Sequence, residues 1–152
     1  MKNIAVFASG NGSNFQKLAR FKNNEYRVIV LICDNPRAHV LKRAETLNIP
    51  FYVFNYRDYP NKQIYETEVL TYLQKYKVDF IVLAGYMRLI GDVLLTHYEK
   101  KIINIHPSLL PAFPGLDAIR RAYDYGVKVT GVTVHYVDKG MDTGKIIAQR
   151  PV

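Results

Sequence analysis

An α/β fold, with a mostly parallel twisted sheet, helices on both faces and a closing strand-loop-strand unit, follows from three features of the sequence. Short apolar runs alternate with segments whose apolar residues recur at helical spacing. The strand-like runs are apolar at nearly every position, as suits strands covered on both faces. From Val129 onward the alternation stops and two strand-like stretches follow one another.

Asn3–Ala8 (NIAVFA) opens the chain as a buried strand. From Ser13 the pattern turns helical, with Phe15, Leu18 and Ala19 on one face, and Ser13 and Gln16 have the spacing of a capping box. Arg27–Cys33 (RVIVLIC) is the second strand. Asp34-Asn35-Pro36 then offers a cap and a first-turn proline for a helix whose apolar stripe is Val40, Leu41, Ala44 and Leu47. Ile49–Phe54 is the third strand, followed by a helix with Tyr65, Val69, Tyr72, Leu73 and Tyr76 on one face. Val78–Ala84 (VDFIVLA) is the fourth strand and Gly91–Tyr98 a short helix. Lys101–His106 (KIINIH) is the fifth strand, and Gly115–Tyr125 is a helix closed by Gly126. Val129–Val137 and Lys145–Arg150 are strands joined by Asp138–Gly144.

The totals narrow the function classes. A chain of 152 residues, 49% hydrophobic and 22% charged, has the size and composition of one globular domain. No apolar run approaches the roughly 20 residues of a membrane helix, and the N-terminus lacks signal-peptide features. A single cysteine, Cys33, excludes an internal disulfide and a thiolate metal cluster. These features together predict a cytoplasmic protein. The net charge of +8 is spread along the chain without a run of five basic residues, which favours anionic small molecules over a nucleic-acid surface.

In parallel sheets ligands bind beyond the carboxyl ends of the strands. The first strand ends in Ser9-Gly10-Asn11-Gly12-Ser13-Asn14, a glycine turn before a helix. It fits a phosphate loop, and it fits a plain strand-helix turn. It is not a dinucleotide fingerprint, because Phe15 stands where the third glycine belongs. Asp34 stands where a ribose-binding acid belongs, although a helix cap is the stronger reading.

Along the fifth strand Asn104 and His106 share one face. An amide donor and an imidazole side by side at a strand end can hold an oxygen that gains charge and move a proton. Asp138 and Asp142 lie in a glycine-loosened loop. Either can supply the carboxylate partner, and both equally fit a solvated turn. His135 shares a face with Thr133 and can line the site or serve the core, whereas His39 and His97 read as surface residues. The four histidines lack metal-ligand spacing, so no metal is expected.

Four segments together, SGNGSN (9–14), LAGYMRL (83–89), NIHPSLLP (104–111) and HYVDKGMDTG (135–144), resemble the phosphoribosylglycinamide formyltransferases, a folate-dependent family with a Rossmann-like formyltransferase fold. The resemblance runs in order along the whole chain. It implies one catalytic domain over 1–152, lacking a C-terminal helical segment that family members carry. The implied reaction moves a formyl group from 10-formyltetrahydrofolate to the amine of glycinamide ribonucleotide, in purine biosynthesis, without a metal. Asn104, His106 and Asp142 would carry the chemistry, with Asp142 favouring the charged imidazole. Gly12, Ser13 and Asn14 would hold the substrate phosphate. Met87, Arg88, Leu89 and Ile90, with Asp138, Lys139, Gly140, Met141 and Asp142, would line the folate pocket together with Asn104.

Lys62 stands where the family has a folate-contacting arginine, keeping the charge but not the planar fork. The implied partners are these two small molecules, with no nucleic acid or membrane, on a monomer or homodimer. The alternatives are a formyltetrahydrofolate hydrolase, or a shortened relative that binds nucleotide or folate without turnover.

Overall fold

The computed structural model describes residues 1–152 and contains, beside one short 3₁₀ turn at Tyr56–Asp58, seven strands and five α-helices. In chain order these are β1 (Lys2–Ala8), α1 (Ser13–Arg20), β2 (Tyr26–Cys33), α2 (Val40–Thr46), β3 (Phe51–Val53), α3 (Lys62–Lys75), β4 (Phe80–Leu83), α4 (Asp92–His97), β5 (Ile102–His106), α5 (Ala118–Tyr125), β6 (Gly131–Tyr136) and β7 (Ile146–Pro151).

All seven strands form one sheet in the order β3-β2-β1-β4-β5-β6-β7. Pairing is parallel from β3 through β5 and antiparallel at β5–β6 and β6–β7. The chain winds outward from β1 to β3, then returns to the other side of β1 for β4. That reversal opens a crevice at the carboxyl ends of β1 and β4, where open α/β sheets bind ligands.

The apolar runs work as doubly covered strands. Alternate residues of β1 serve opposite faces: Ala5 and Phe7 pack with Tyr65, Val69 and Leu73 of α3 and Leu94 of α4. Val6 and Ala8 pack with Phe15 of α1 and Val40 and Ala44 of α2. Fully burying a side chain such as Leu73 contributes about 1.5–3 kcal/mol. Tyr72 and Tyr76, on the expected face of α3, are partly buried and stack with Tyr52 at centroid distances of 4.4 and 5.9 Å.

Three local expectations are not met as stated. The Ser13–Gln16 capping box does not form: Gly12 is the N-cap of α1, no side chain caps it, and Gln16 instead accepts from Arg43. Asp34 does not cap α2, which starts six residues later at Val40. Its carboxylate lies 3.3 Å from Arg88 Nε, while Asn35 Oδ1 accepts from the Arg37 amide. The fifth helix starts at Ala118 rather than Gly115, because Gly115 and Asp117 both have positive φ (82° and 54°). Its expected end is met: Gly126, at φ 89°, donates to the carbonyls of Ala122 and Tyr123.

Candidate active site

β5 places Asn104 and His106 on one face at its carboxyl end, and antiparallel pairing sets Asn104 opposite His135 and His106 opposite Thr133. Cross-strand partners share a face, so three polar side chains converge on one spot. Beyond His106 the chain turns under a set of hydrogen bonds. Thr133 Oγ1 donates to the Ser108 carbonyl at 2.6 Å and accepts from the Leu110 amide at 3.1 Å. Ser108 Oγ donates to the Ala112 carbonyl at 2.6 Å. The turn aims the Phe113 carbonyl at His106, whose Nε2 lies 2.8 Å from it.

Asp142 joins these parts. Its Oδ2 accepts from the Gly115 amide at 2.7 Å and lies 3.4 Å from His106 Nδ1. Its Oδ1 accepts from Asn104 Nδ2 at 3.4 Å and lies 3.5 Å from His135 Nε2. The Asp142 side chain is only 9% exposed, so its attraction for a charged imidazole is little screened. His106 therefore has an oxygen acceptor at each ring nitrogen, an arrangement that suits the doubly protonated ring.

His135 Nδ1 lies 2.8 Å from the Tyr136 carbonyl and donates to it. Its Nε2 lies 3.3 Å from Asn104 Nδ2. The Asn104 amide nitrogen faces both His135 and Asp142.

The two carboxylates left open by the sequence separate here. Asp138 faces solvent and holds its own loop, accepting from Thr143 Oγ1 at 2.7 Å and the Gly140 amide at 2.9 Å. The Thr143 hydroxyl, and then the Gly140 N–H, hold its carboxyl below the ordinary aspartate value. Asp142, at φ 56°, turns into the cluster. Gly144 permits this path, because a β-carbon there would lie 1.6 Å from the Tyr136 carbonyl oxygen.

The cluster forms one end of a cleft of about 350 Å³. Met87, Arg88, Leu89 and Ile90 line it from the loop after β4, and Asp138, Lys139, Gly140, Met141 and Asp142 from the loop before β7. Gly115–Ala118 and Tyr86 also line it and were not among the expected site residues. Arg88 is held by Asp34 on one side and lies over the Tyr56 ring at 4.3 Å on the other. Lys62 is not on the wall of this cleft. It lines a neighbouring groove that shares Ile90 and Lys139 with it.

The β1–α1 loop lies beside the cleft rather than in it. Ser9 Oγ accepts from the Met87 amide at 2.9 Å, and the Ser9 amide donates to the Gly85 carbonyl at 3.1 Å, tying the loop to the cleft wall. Gly12 has φ 81°, and a β-carbon there would lie 2.4 Å from Val40 Cγ2. The first amides of α1 have no side-chain cap, which leaves donors and the positive end of the helix dipole for an anion. No group of three His, Cys, Asp or Glu side chains is placed to hold a metal ion, and no helix is long and apolar enough to cross a membrane.

A sheet of this topology with an Asn-His-Asp cluster beside an uncapped loop defines a class, and residues 2–152 match the family model described as formyl transferase. The chain belongs to the formyl transferase family. It is 54% identical over 155 residues to the phosphoribosylglycinamide formyltransferase of Bacillus subtilis (strain 168), covering 100% of this chain and 80% of that protein. It is 41% identical to the trifunctional purine biosynthetic protein adenosine-3 of Drosophila pseudoobscura pseudoobscura, covering 99% of this chain and 11% of that protein.

Among solved structures, glycinamide ribonucleotide transformylase 1 from Geobacillus kaustophilus superposes with a TM-score of 0.95 at 58% identity, over 100% of this chain and 82% of that one. Phosphoribosylglycinamide formyltransferase from Bacillus halodurans gives 0.95 at 51% identity, over 99% and 79%. The family works with a folate-type one-carbon donor and small-molecule substrates.

Proposed function

We propose that this protein transfers the formyl group of 10-formyltetrahydrofolate to the amine of glycinamide ribonucleotide, in the de novo route to purine nucleotides (IMP). The observation that carries the reading is the contact of one buried carboxylate, Asp142, with both Asn104 and His106 at the end of a cleft. The names of the relatives supply glycinamide ribonucleotide as the acceptor, and the family resemblance supplies the folate donor.

In this reading the cleft takes the folate, between the Met87–Ile90 and Asp138–Asp142 walls, and Gly12, Ser13 and Asn14 take the ribonucleotide phosphate. Lys62, in the adjoining groove, serves the far, anionic end of the folate as a point charge. The new bond joins the glycinamide nitrogen to the formyl carbon, and the bond from that carbon to the folate nitrogen breaks. Negative charge gathers on the formyl oxygen meanwhile.

Asn104 Nδ2 and a protonated His106 are the donors for that oxygen. The Asn104 contacts are long at 3.3 and 3.4 Å, so the amide gives one up at small cost. Asp142 stabilises the imidazolium and, through water, takes the proton released by the amine. The protonated His106 gives one to the departing folate nitrogen and is reprotonated from Asp142. Residues 1–152 act as one catalytic domain in the cytoplasm, as a monomer or homodimer, without nucleic acid, membrane or metal.

The test is turnover of 10-formyltetrahydrofolate by purified protein, with and without glycinamide ribonucleotide. The reading expects consumption that depends on the ribonucleotide. Equal consumption without it would point to a hydrolase, and none in either case to a binding protein.

A further inference from the structure

Arg43 of α2 donates from all three guanidinium nitrogens to the outside of the β1–α1 loop and to the first turns of α1. Nε donates to the Asn11 carbonyl at 2.7 Å, Nη2 to Asn11 Oδ1 at 3.2 Å, and Nη1 to Gln16 Oε1. It makes no ion pair, so nothing else in the chain claims its charge. Its two partners, Asn11 and Gln16, carry amide oxygens on either side of the start of α1. Gln16 has the capping-box spacing from Ser13, and Asn11 is a short amide just before the N-cap Gly12. Either oxygen turned inward would compete with an anion for an amide of the first turn.

We infer that Arg43 is a positioning residue for the anion site: it withholds Asn11 and Gln16 from the helix N-terminus and so keeps the Gly12–Asn14 amides open for a phosphate group. The inference rests on the reading of that loop as the ribonucleotide-phosphate site. The loop needs such a holder because glycine flanks Asn11 on both sides, and ordering it during binding would weaken affinity. The guanidinium is suited to the task because its rigid planar fork holds its donors in fixed, divergent directions, whereas an ammonium is a point charge on a flexible stem.

In the Arg43→Met variant, KM for glycinamide ribonucleotide rises roughly tenfold, while KM for the folate and kcat at saturating ribonucleotide stay near wild type. Arg43→Lys, which keeps the charge and loses the fork, remains several-fold weaker than wild type. Adding Gln16→Ala to Arg43→Met removes a competing cap and recovers part of the lost affinity, a gain that a merely structural role for Arg43 would not give.

The same series is titrated with inorganic phosphate, following the Gly12, Ser13 and Asn14 amide resonances by NMR. Weaker phosphate binding in Arg43→Met, partly restored by Gln16→Ala, supports the inference. Wild-type phosphate binding in Arg43→Met, no binding at these amides in the wild type, or full rescue by lysine overturns it. A wild-type protein without ribonucleotide-dependent turnover would overturn the proposed reaction instead, and the phosphate titration would still decide the role of Arg43.

Discussion

Asp142 and His106 meet at 3.4 Å, Oδ2 to Nδ1, with side chains only 9% and 6% exposed, and the Gly115 amide pins the same carboxylate oxygen at 2.7 Å. A carboxylate so held acts as a fixed counter-charge for the imidazole. Asp142→Asn keeps the volume and removes that charge. It is expected to lower kcat by about 10²–10⁴-fold, the range for loss of acid–base assistance, with KM for both substrates within a few-fold. Steady-state kinetics check this.

Thr133 supports the site from below. It is fully buried, and its hydroxyl serves the Ser108 carbonyl, the Leu110 amide and Gln149 Nε2 at 2.6, 3.1 and 3.1 Å. Thr133→Val leaves buried backbone groups of the turn without partners and should cost about 1–3 kcal/mol of stability. Urea denaturation measures it, and the loss of stability should be larger than the loss of turnover at 25 °C.

Which parts of this arrangement were legible in the sequence follows from how local each one is. Asn104 and His106 could be paired from strand alternation alone, and the sheet architecture from the apolar runs. Asp142 could not be separated from Asp138, because the difference is a backbone turn at φ 56° and an amide donated by Gly115, 27 residues away in sequence. The place of His135 depends on β5–β6 register, which a single strand does not encode. Asp34 and Gln16 were misread for a related reason. Local capping rules described them correctly as candidates, and two arginines from other elements, Arg88 and Arg43, outcompeted the nearby amides.

Gly12 offers a test of the loop geometry. A β-carbon there would sit 2.4 Å from Val40 Cγ2, at a φ of 81° that side chains rarely adopt. Gly12→Ala should destabilise the protein by about 1–3 kcal/mol. It should also raise KM for glycinamide ribonucleotide well above the change in KM for the folate. Thermal melts and the two KM values report the two effects separately.

Glu66 predicts a pH dependence of stability unconnected with catalysis. Its buried carboxylate caps α4, accepting from the Gly91 and Leu94 amides at 2.6 and 3.3 Å. Burial raises its pKa above the ordinary glutamate value, against the lowering effect of those two amides. With the folded value above the unfolded one, the folded state holds the proton more tightly. The contribution of this titration is fully present below the unfolded pKa and is lost as pH rises through the folded one. Glu66→Gln removes the titration, so denaturation curves from pH 4 to 7 should decline less steeply with pH in the variant than in wild type.

The central claim, that Asn104, His106 and Asp142 pass a formyl group to the ribonucleotide amine, is tested most directly by following the group itself. Purified protein is given 10-formyltetrahydrofolate carrying ¹³C in the formyl carbon, together with glycinamide ribonucleotide, and the label is located by NMR. The account predicts label on the glycinamide nitrogen with wild-type protein and a rate at least about 10²-fold lower with His106→Ala. Label recovered as free formate, or transfer by His106→Ala at the wild-type rate, would contradict it.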